Sequence, residues 1–203
     1  EVSCAAGIVY QGDTTFGFFS KQSLADQVGI REVQLWQPSE QEQARGRAFS
    51  YPQPAPYPDQ MMRMIHEIEL FHPEGGQHAL GFIRGTARVD PEAWFFKAHF
   101  YQDPVWPGSL GLESLLQLLK VVALDRWQDR VKDKKVDFEA MALGHEHSWI
   151  YRGQIIPTHR QVTVQATILA FDDKTMTLQA EGYLSVDGRI IYQMNNFALK
   201  MSH

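Results

Sequence analysis

Ser109-Leu-Gly-Leu-Glu-Ser-Leu-Leu-Gln-Leu-Leu-Lys-Val-Val-Ala-Leu-Asp-Arg-Trp127 reads as one helix with almost no polar face. Leu110, Leu112, Leu115, Leu116, Leu118, Leu119, Val121, Val122 and Leu124 are distributed all round its axis. A helix that is apolar on every side belongs in a core, not on a surface. The only partners the chain offers are strand-like segments joined by tight turns. The reading is therefore an α+β fold, with a curved antiparallel sheet wrapped around one long buried helix.

Working outward, Ile65–Phe71 and Gln77–Val89 read as strands around the turn cluster His72-Pro-Glu-Gly-Gly76. Beyond the charged connector Lys132–Lys135, four more strands are predicted: Glu139–Tyr151, Gln161–Phe171, Thr175–Val186 and Arg189–Lys200. Asp172-Asp173 and Asp187-Gly188 mark hairpin turns, the second with the sequence of a type I′ turn. Upstream, residues 1–37 hold only short strand-like pieces (Gly7–Tyr10, Thr15–Phe19) and a weak helical stretch at Ser23–Val28. These need another surface to pack on. Residues 38–60 are polar, then rich in proline (Pro38, Pro52, Pro54, Pro56, Pro58), a composition that favours extended chain. The organisation predicted is a lead-in segment and proline-rich linker or arm over 1–60, followed by one folded domain over 61–203.

Bulk properties exclude several classes. A net charge of −5 argues against a primary nucleic-acid role, which needs concentrated Lys and Arg. The single cysteine, Cys4, can close no intrachain disulfide, so a reducing, cytoplasmic setting is the simpler expectation. No apolar run approaches the ~20 residues of a membrane span. The first residue is Glu1, which suggests a domain excised from a longer protein.

Polar residues on a buried helix are the informative exceptions. Glu113, Gln117 and Lys120 fall on one stripe, with Glu113 read as lying in the first turn, where the helix dipole favours an anion. A capping box would explain a glutamate three residues after the cap, but Glu113 lies four beyond the candidate cap Ser109. At the start of the helix, the backbone N–H groups of Gly108 and Ser109 lack intrahelical partners and could hold a carbonyl oxygen that gains negative charge. On its own, Gly108 reads equally well as a turn residue after Pro107. His99 stands just upstream among aromatic residues; taken alone it would pass for a structural histidine. A histidine and a carboxylate delivered to one apolar place can move protons on a greasy substrate.

The stretch Ala98-His-Phe-x-x-Asp-Pro-Val-x-Pro-Gly-x-Leu-Gly-Leu-Glu-x-x-x-Gln117 resembles the active-site signature of the bacterial β-hydroxydecanoyl-ACP dehydratases. Met61–Ile68, Tyr151-Arg-Gly-Gln-Ile-Ile-Pro157 and Asp187-Gly-Arg-Ile-Ile-Tyr192 resemble the same family's strands, so the likeness covers about residues 55–200 in order. The fuller text Phe100-Tyr-Gln-Asp-Pro-Val-Trp-Pro-Gly-Ser109, with Glu113, resembles the dehydratase domains embedded in polyunsaturated-fatty-acid and polyketide-type synthases.

This resemblance implies a hotdog fold, a homodimer or tandem hotdog pair, and a substrate carried on the phosphopantetheine arm of an acyl carrier protein. It implies no cofactor. The histidine of one unit would meet the acid on the other unit's helix. His99 would be the base that takes the C2 proton of a 3-hydroxyacyl thioester, and Glu113 would protonate or orient the leaving C3 hydroxyl. The Gly108 N–H would bind the thioester carbonyl, Gln117 would position Glu113, and Ser109 and Val105 would contact substrate. Burial in an apolar tunnel would help the acid hold its proton. The family's desaturating members carry Asp at the position of Glu113 and Cys at that of Ser109, so dehydration is implied more firmly than double-bond isomerisation. Trp106 replaces a smaller residue and either shapes the acyl tunnel or packs in the core.

Two other readings compete: a hotdog acyl thioesterase, or a non-catalytic hotdog that completes a dimer. His145-Glu-His147 lacks a third ligand at zinc spacing, so no metal site is expected. Lys132, Lys134 and Lys135, with Arg126 and Arg130, could dock an acidic carrier but read more simply as a solvated connector. Met61, Met62 and Met64 read as strand core.

Overall fold

The structure, a computed structural model, describes residues 1–13, 18–51, 59–139 and 141–203. In chain order the elements are β1 (Val2–Cys4), β2 (Gly7–Tyr10), α1 (Lys21–Ala25), α2 (Glu40–Arg45), β3 (Arg47–Ser50), β4 (Glu67–His72), β5 (Phe82–Arg88), α3 (Trp94–Ala98) and α4 (Gly108–Arg126). They continue with α5 (Gln128–Val131), β6 (Asp137–Glu139), β7 (Ser148–Tyr151), β8 (Gln161–Asp172), β9 (Thr177–Val186) and β10 (Arg189–Ser202).

The long helix forms as its composition demands, and its burial is nearly complete. Leu115, Leu118, Leu119 and Ala123 have no exposed surface. Among the described residues, an eight-stranded sheet ordered β3-β4-β5-β8-β9-β10-β6, with β7 also on β10, packs its inner face on α4. Every pairing in it is antiparallel. Strand β9 shows why one face turns inward: Leu178, Ala180, Leu184 and Val186 alternate with partly exposed residues at the strand's period of two. Glycines permit the close approach of helix and sheet. A Cβ at Gly182 would lie 2.6 Å from Leu115, and one at Gly85 would lie 3.0 Å from Leu118.

The Asp187-Gly188 hairpin has positive φ at both positions (47° and 84°), as a type I′ turn requires. Asp187 also accepts hydrogen bonds from the N–H groups of Arg160 and Gln161. At the other hairpin Asp172 accepts from the Lys174 N–H and the Thr175 hydroxyl. Asp173 receives Arg126 and the Trp127 indole, fixing the end of α4 to the sheet.

Three local expectations change. The stretch Gln77–Gly81 is turn, not strand, because Gly76, Ala79 and Gly81 all have positive φ, which an extended ladder does not accommodate. The segment Glu139–Tyr151 is two strands, not one. Met141 and Gly144 turn the chain between β6 and β7, and a bulge at Asn196 (φ 56°) kinks β10 so that both pair along the same edge. Residues 38–60 hold a helix and a strand. Ser39 and Glu42 form a capping box on α2, and β3 adds to the sheet edge beside β4. Pro52, Pro54, Pro56 and Pro58, and the Thr15–Gly17 part of an expected strand, lie outside the described residues. The lead-in finds its surface on the main sheet: the Ile30 N–H donates to the Ile190 carbonyl, Arg189 donates to the Gln27 carbonyl, and Trp36 packs on Phe82 at 4.5 Å.

Candidate active site

His99 is the residue that ends α3, and the loop after it folds back on the histidine itself. The Val105 N–H donates to the His99 carbonyl at 2.8 Å, and His99 Nδ1 lies 3.0 Å from the Val105 carbonyl. A carbonyl oxygen can only accept, so Nδ1 is the donor of this bond and Nε2 is the ring nitrogen left free of it. Val105 is 5% exposed and His99 half-buried, so this hydrogen bond is partly shielded from water. The loop is pinned further by the Trp106 N–H donating to the Ile155 carbonyl. Trp106 is 4% exposed and stacks at a tilt on Phe95, so it is a core side chain. Phe100 lies 3.8 Å from the His99 ring and is itself exposed, as is Tyr101.

The helix begins one residue earlier than the sequence suggests. Pro107 is the N-cap and Gly108 the first helical residue, with no side-chain cap. Proline's fixed φ suits entry to a helix, and Ser109 is thereby inside it and exposed. Two corrections follow from this shift. Ser109 is not the cap, and Glu113 stands in the second turn, beyond the strongest reach of the helix dipole.

Around the Gly108 end three aromatic side chains converge that the sequence reading did not single out. Trp149 and Tyr151 stack with an interplanar angle of 8°, and Tyr192 meets Tyr151 edge-on at 4.6 Å. The Tyr192 hydroxyl donates to the Gly108 carbonyl at 3.3 Å. Burial holds the Tyr192 phenol far above its ordinary range, and burial likewise raises that of Tyr151. Both therefore stay neutral and wall this end of the helix, with Tyr192 as a hydrogen-bond donor. A Cβ at Gly111 would lie 2.8 Å from the Tyr192 oxygen, so glycine is a packing requirement there. Gly108 is covered more loosely, with the Trp149 rim 3.1 Å from where a Cβ would be. The family-like segments Tyr151–Pro157 and Asp187–Tyr192 were the signal that pointed here. A cavity of about 470 Å³ opens beside Tyr151, between Arg152–Gln154 and the lead-in residues Leu24–Gly29.

Further along α4, Gln117 is wholly buried and uses its amide at both ends. Its oxygen accepts from the Met64 N–H at 2.9 Å; its nitrogen donates to the Met62 carbonyl at 2.6 Å and to Glu113 Oε1 at 3.0 Å. Lys120 reaches the same Oε1 at 3.2 Å. The side chains of Glu113 and Lys120 are 16% and 7% exposed, so this is a largely buried ion pair. The sequence puts Glu113, Gln117 and Lys120 on one stripe, and the structure joins the three at Oε1 of Glu113. None of the described hydrogen bonds or ion pairs joins His99 to Glu113. The site residues thus form two groups, one on the His99–Val105 loop and one along the helix.

Other sequence signals resolve simply. His145 is bonded to Gln179 on β9, and Lys132, Lys134 and Lys135 are exposed on the turn after α5. No described helix is long and apolar enough to cross a membrane.

Known proteins share this sequence pattern and architecture. A model of the FabA-like domain matches residues 57–195. A subunit of the polyunsaturated fatty acid synthase of Thraustochytrium sp. (strain ATCC 26185 / S-3) is 32% identical across 100% of this chain. The chain spans 15% of that protein's length. Among solved structures, the dehydratase heterocomplex ApeI:P from Xenorhabdus doucetiae superimposes with a TM-score of 0.55. That match covers 77% of this chain and 93% of the other at 14% identity, a likeness of fold.

Proposed function

The chain belongs to the FabA-like domain family and has its hotdog fold, and from that premise we propose that it dehydrates 3-hydroxyacyl thioesters to trans-2-enoyl thioesters. The substrate is held on the phosphopantetheine arm of an acyl carrier protein. The setting is fatty acid or polyketide-type synthesis in the cytoplasm, as one domain of a larger synthase. The relative named as part of a polyunsaturated fatty acid synthase supports that setting.

The observation that carries the reading is how the two proton-handling groups are held. The Val105 carbonyl takes the Nδ1 proton of His99 and leaves Nε2 as a base. On α4, Gln117 and Lys120 both engage Oε1 of Glu113, leaving Oε2 to face a substrate. The thioester carbonyl binds at the Gly108 N–H, with Ser109 and Val105 lining the approach, and negative charge gathers on its oxygen. His99 Nε2 removes a C2 proton, and the electron pair forms the C2–C3 double bond as the C3–O bond breaks. Glu113 acts from its protonated form: the departing oxygen takes that proton and leaves as water, and the carboxylate so formed pairs with Lys120. One proton has entered at His99 and one has left at Glu113, so a single proton passed from imidazolium to carboxylate restores the site. Each group supplies ~10²–10⁴-fold at most. In this reading, as the family resemblance implies, His99 and Glu113 each belong to a site completed by a neighbouring hotdog, in a homodimer or a tandem pair.

The test is to supply a 3-hydroxyacyl thioester and follow both enoyl absorbance and free thiol. Enoyl product that disappears in His99→Ala and in Glu113→Ala supports the reading. Thiol release without enoyl product would replace it with a thioesterase, and neither product would leave a hotdog with a structural role.

A further inference from the structure

Lys120 is the residue that the proposed chemistry does not yet use and that packing does not explain. It sits on α4 between Leu119 and Val121, where every neighbour along the chain is apolar, and it is 6% exposed. A buried ammonium costs stability unless it is paired, and a hydrophobic side chain of similar length would fill the same space without that cost. Its described partners are two: Glu113 Oε1 at 3.2 Å and the face of the Phe138 ring at 6.0 Å. The ring is at the outer limit of cation–π distance, so the carboxylate is the main partner.

The way Lys120 meets Glu113 is specific. Gln117 is fixed at both ends by the backbone at Met62 and Met64, so its N–H arrives at Oε1 from one set direction. Lys120 supplies a second donor to that same oxygen, and no described side chain donates to Oε2. The two oxygens are thereby given different work. When a proton passes from Oε2 to the leaving hydroxyl, the charge left on the carboxylate is met by an ammonium already in place. In a site with little water such prearranged charge acts on the transition state and not on substrate binding.

We propose that Lys120 is a positioning residue for Glu113, holding Oε1 and stabilising the carboxylate that forms as the C3 hydroxyl departs. This rests on the dehydratase reading above. In that step the C3–O bond breaks with its electron pair on oxygen, the oxygen takes the Glu113 proton, and water leaves.

The experiment compares wild type, Lys120→Met, Lys120→Arg, Glu113→Gln and the double variant Glu113→Gln/Lys120→Met, with thermal melts run on each. Lys120→Met should lower kcat by roughly tenfold or more while KM stays within about twofold, as for loss of a group acting in the transition state. Lys120→Arg, which keeps the charge and a donor, should recover part of that loss. The double variant should be no slower than Glu113→Gln alone, because Lys120 works only through Glu113. If Lys120→Met does not fold, Lys120→Gln takes its place. Wild-type kcat in the folded variant overturns the assignment. So does a loss confined to KM, or one that Lys120→Arg fails to relieve and that follows a fall in melting temperature. A wild-type chain that forms no enoyl product instead overturns the dehydratase reading, and this proposal with it.

Discussion

His99 and Val105 are joined twice, backbone to backbone at 2.8 Å and ring to carbonyl at 3.0 Å, across a loop of five intervening residues. The histidine that would act as base is therefore oriented by main chain, which no side-chain substitution at 105 removes. The tautomer can be read directly. In nitrogen NMR of the neutral imidazole, Nδ1 should resonate as the protonated nitrogen and Nε2 as the bare one. The opposite pattern would remove His99 as a base on this face.

The proposed sharing of one site between two hotdogs is tested by complementation. His99→Ala and Glu113→Ala should each be inactive alone. Mixed and allowed to exchange protomers as a twofold dimer, they should regain up to about a quarter of wild-type activity, since half the dimers are mixed and each has one intact site. No recovery despite demonstrated exchange would place both groups in the same protomer's site.

Gly111 is held against the Tyr192 ring, where a Cβ has no room. Gly111→Ala should cost about 1–3 kcal/mol by overpacking, measured by urea unfolding. Gly108→Ala, facing the edges of Trp149 and Tyr151 at 3.1 to 3.5 Å, should cost less. Equal stability of Gly111→Ala and wild type would show that the aromatic cluster yields.

Acid sensitivity should begin in the histidine range. Burial first, then Arg63, holds His66 below its ordinary value of 6.5, and burial does the same to His159. The unfolded chain therefore binds these protons at higher pH than the folded chain does. Stability is complete above that ordinary value and declines as pH falls toward the lower, folded-state values. His66→Gln keeps an acceptor for the Arg88 N–H. It should shrink the drop in melting temperature between about pH 7.5 and about pH 5.5; an unchanged drop would point to other groups.

The parts of this fold that could be read in advance are those governed by local rules. An all-apolar helix has one possible environment, and Asp187-Gly188 has one favoured turn, so α4 and the last hairpin stand where their own residues put them. The parts that could not be read depend on distant neighbours. That 139–151 makes two strands rests on the turn at Met141 and Gly144 together with the bulge at Asn196, some fifty residues later. The cap fell at Pro107 and not at Ser109, a two-residue shift that moved Glu113 out of the first turn. For the candidate site, Glu113, Gln117 and Lys120 were legible as one stripe because helix spacing alone sets it. That Gln117 would grip Met62 and Met64, or that Tyr192 would lean on Gly111, follows only from how the sheet curls over the helix.

The grip of Gln117 on Met62 and Met64 also says where the working unit starts. A chain trimmed to begin just after Met64 would keep His99, Gly108, Glu113 and Lys120, and would look whole to anyone reading motifs. It would nonetheless strip a fully buried amide of two of its three partners. Glu113 would then be aimed by a side chain that had itself lost its aim.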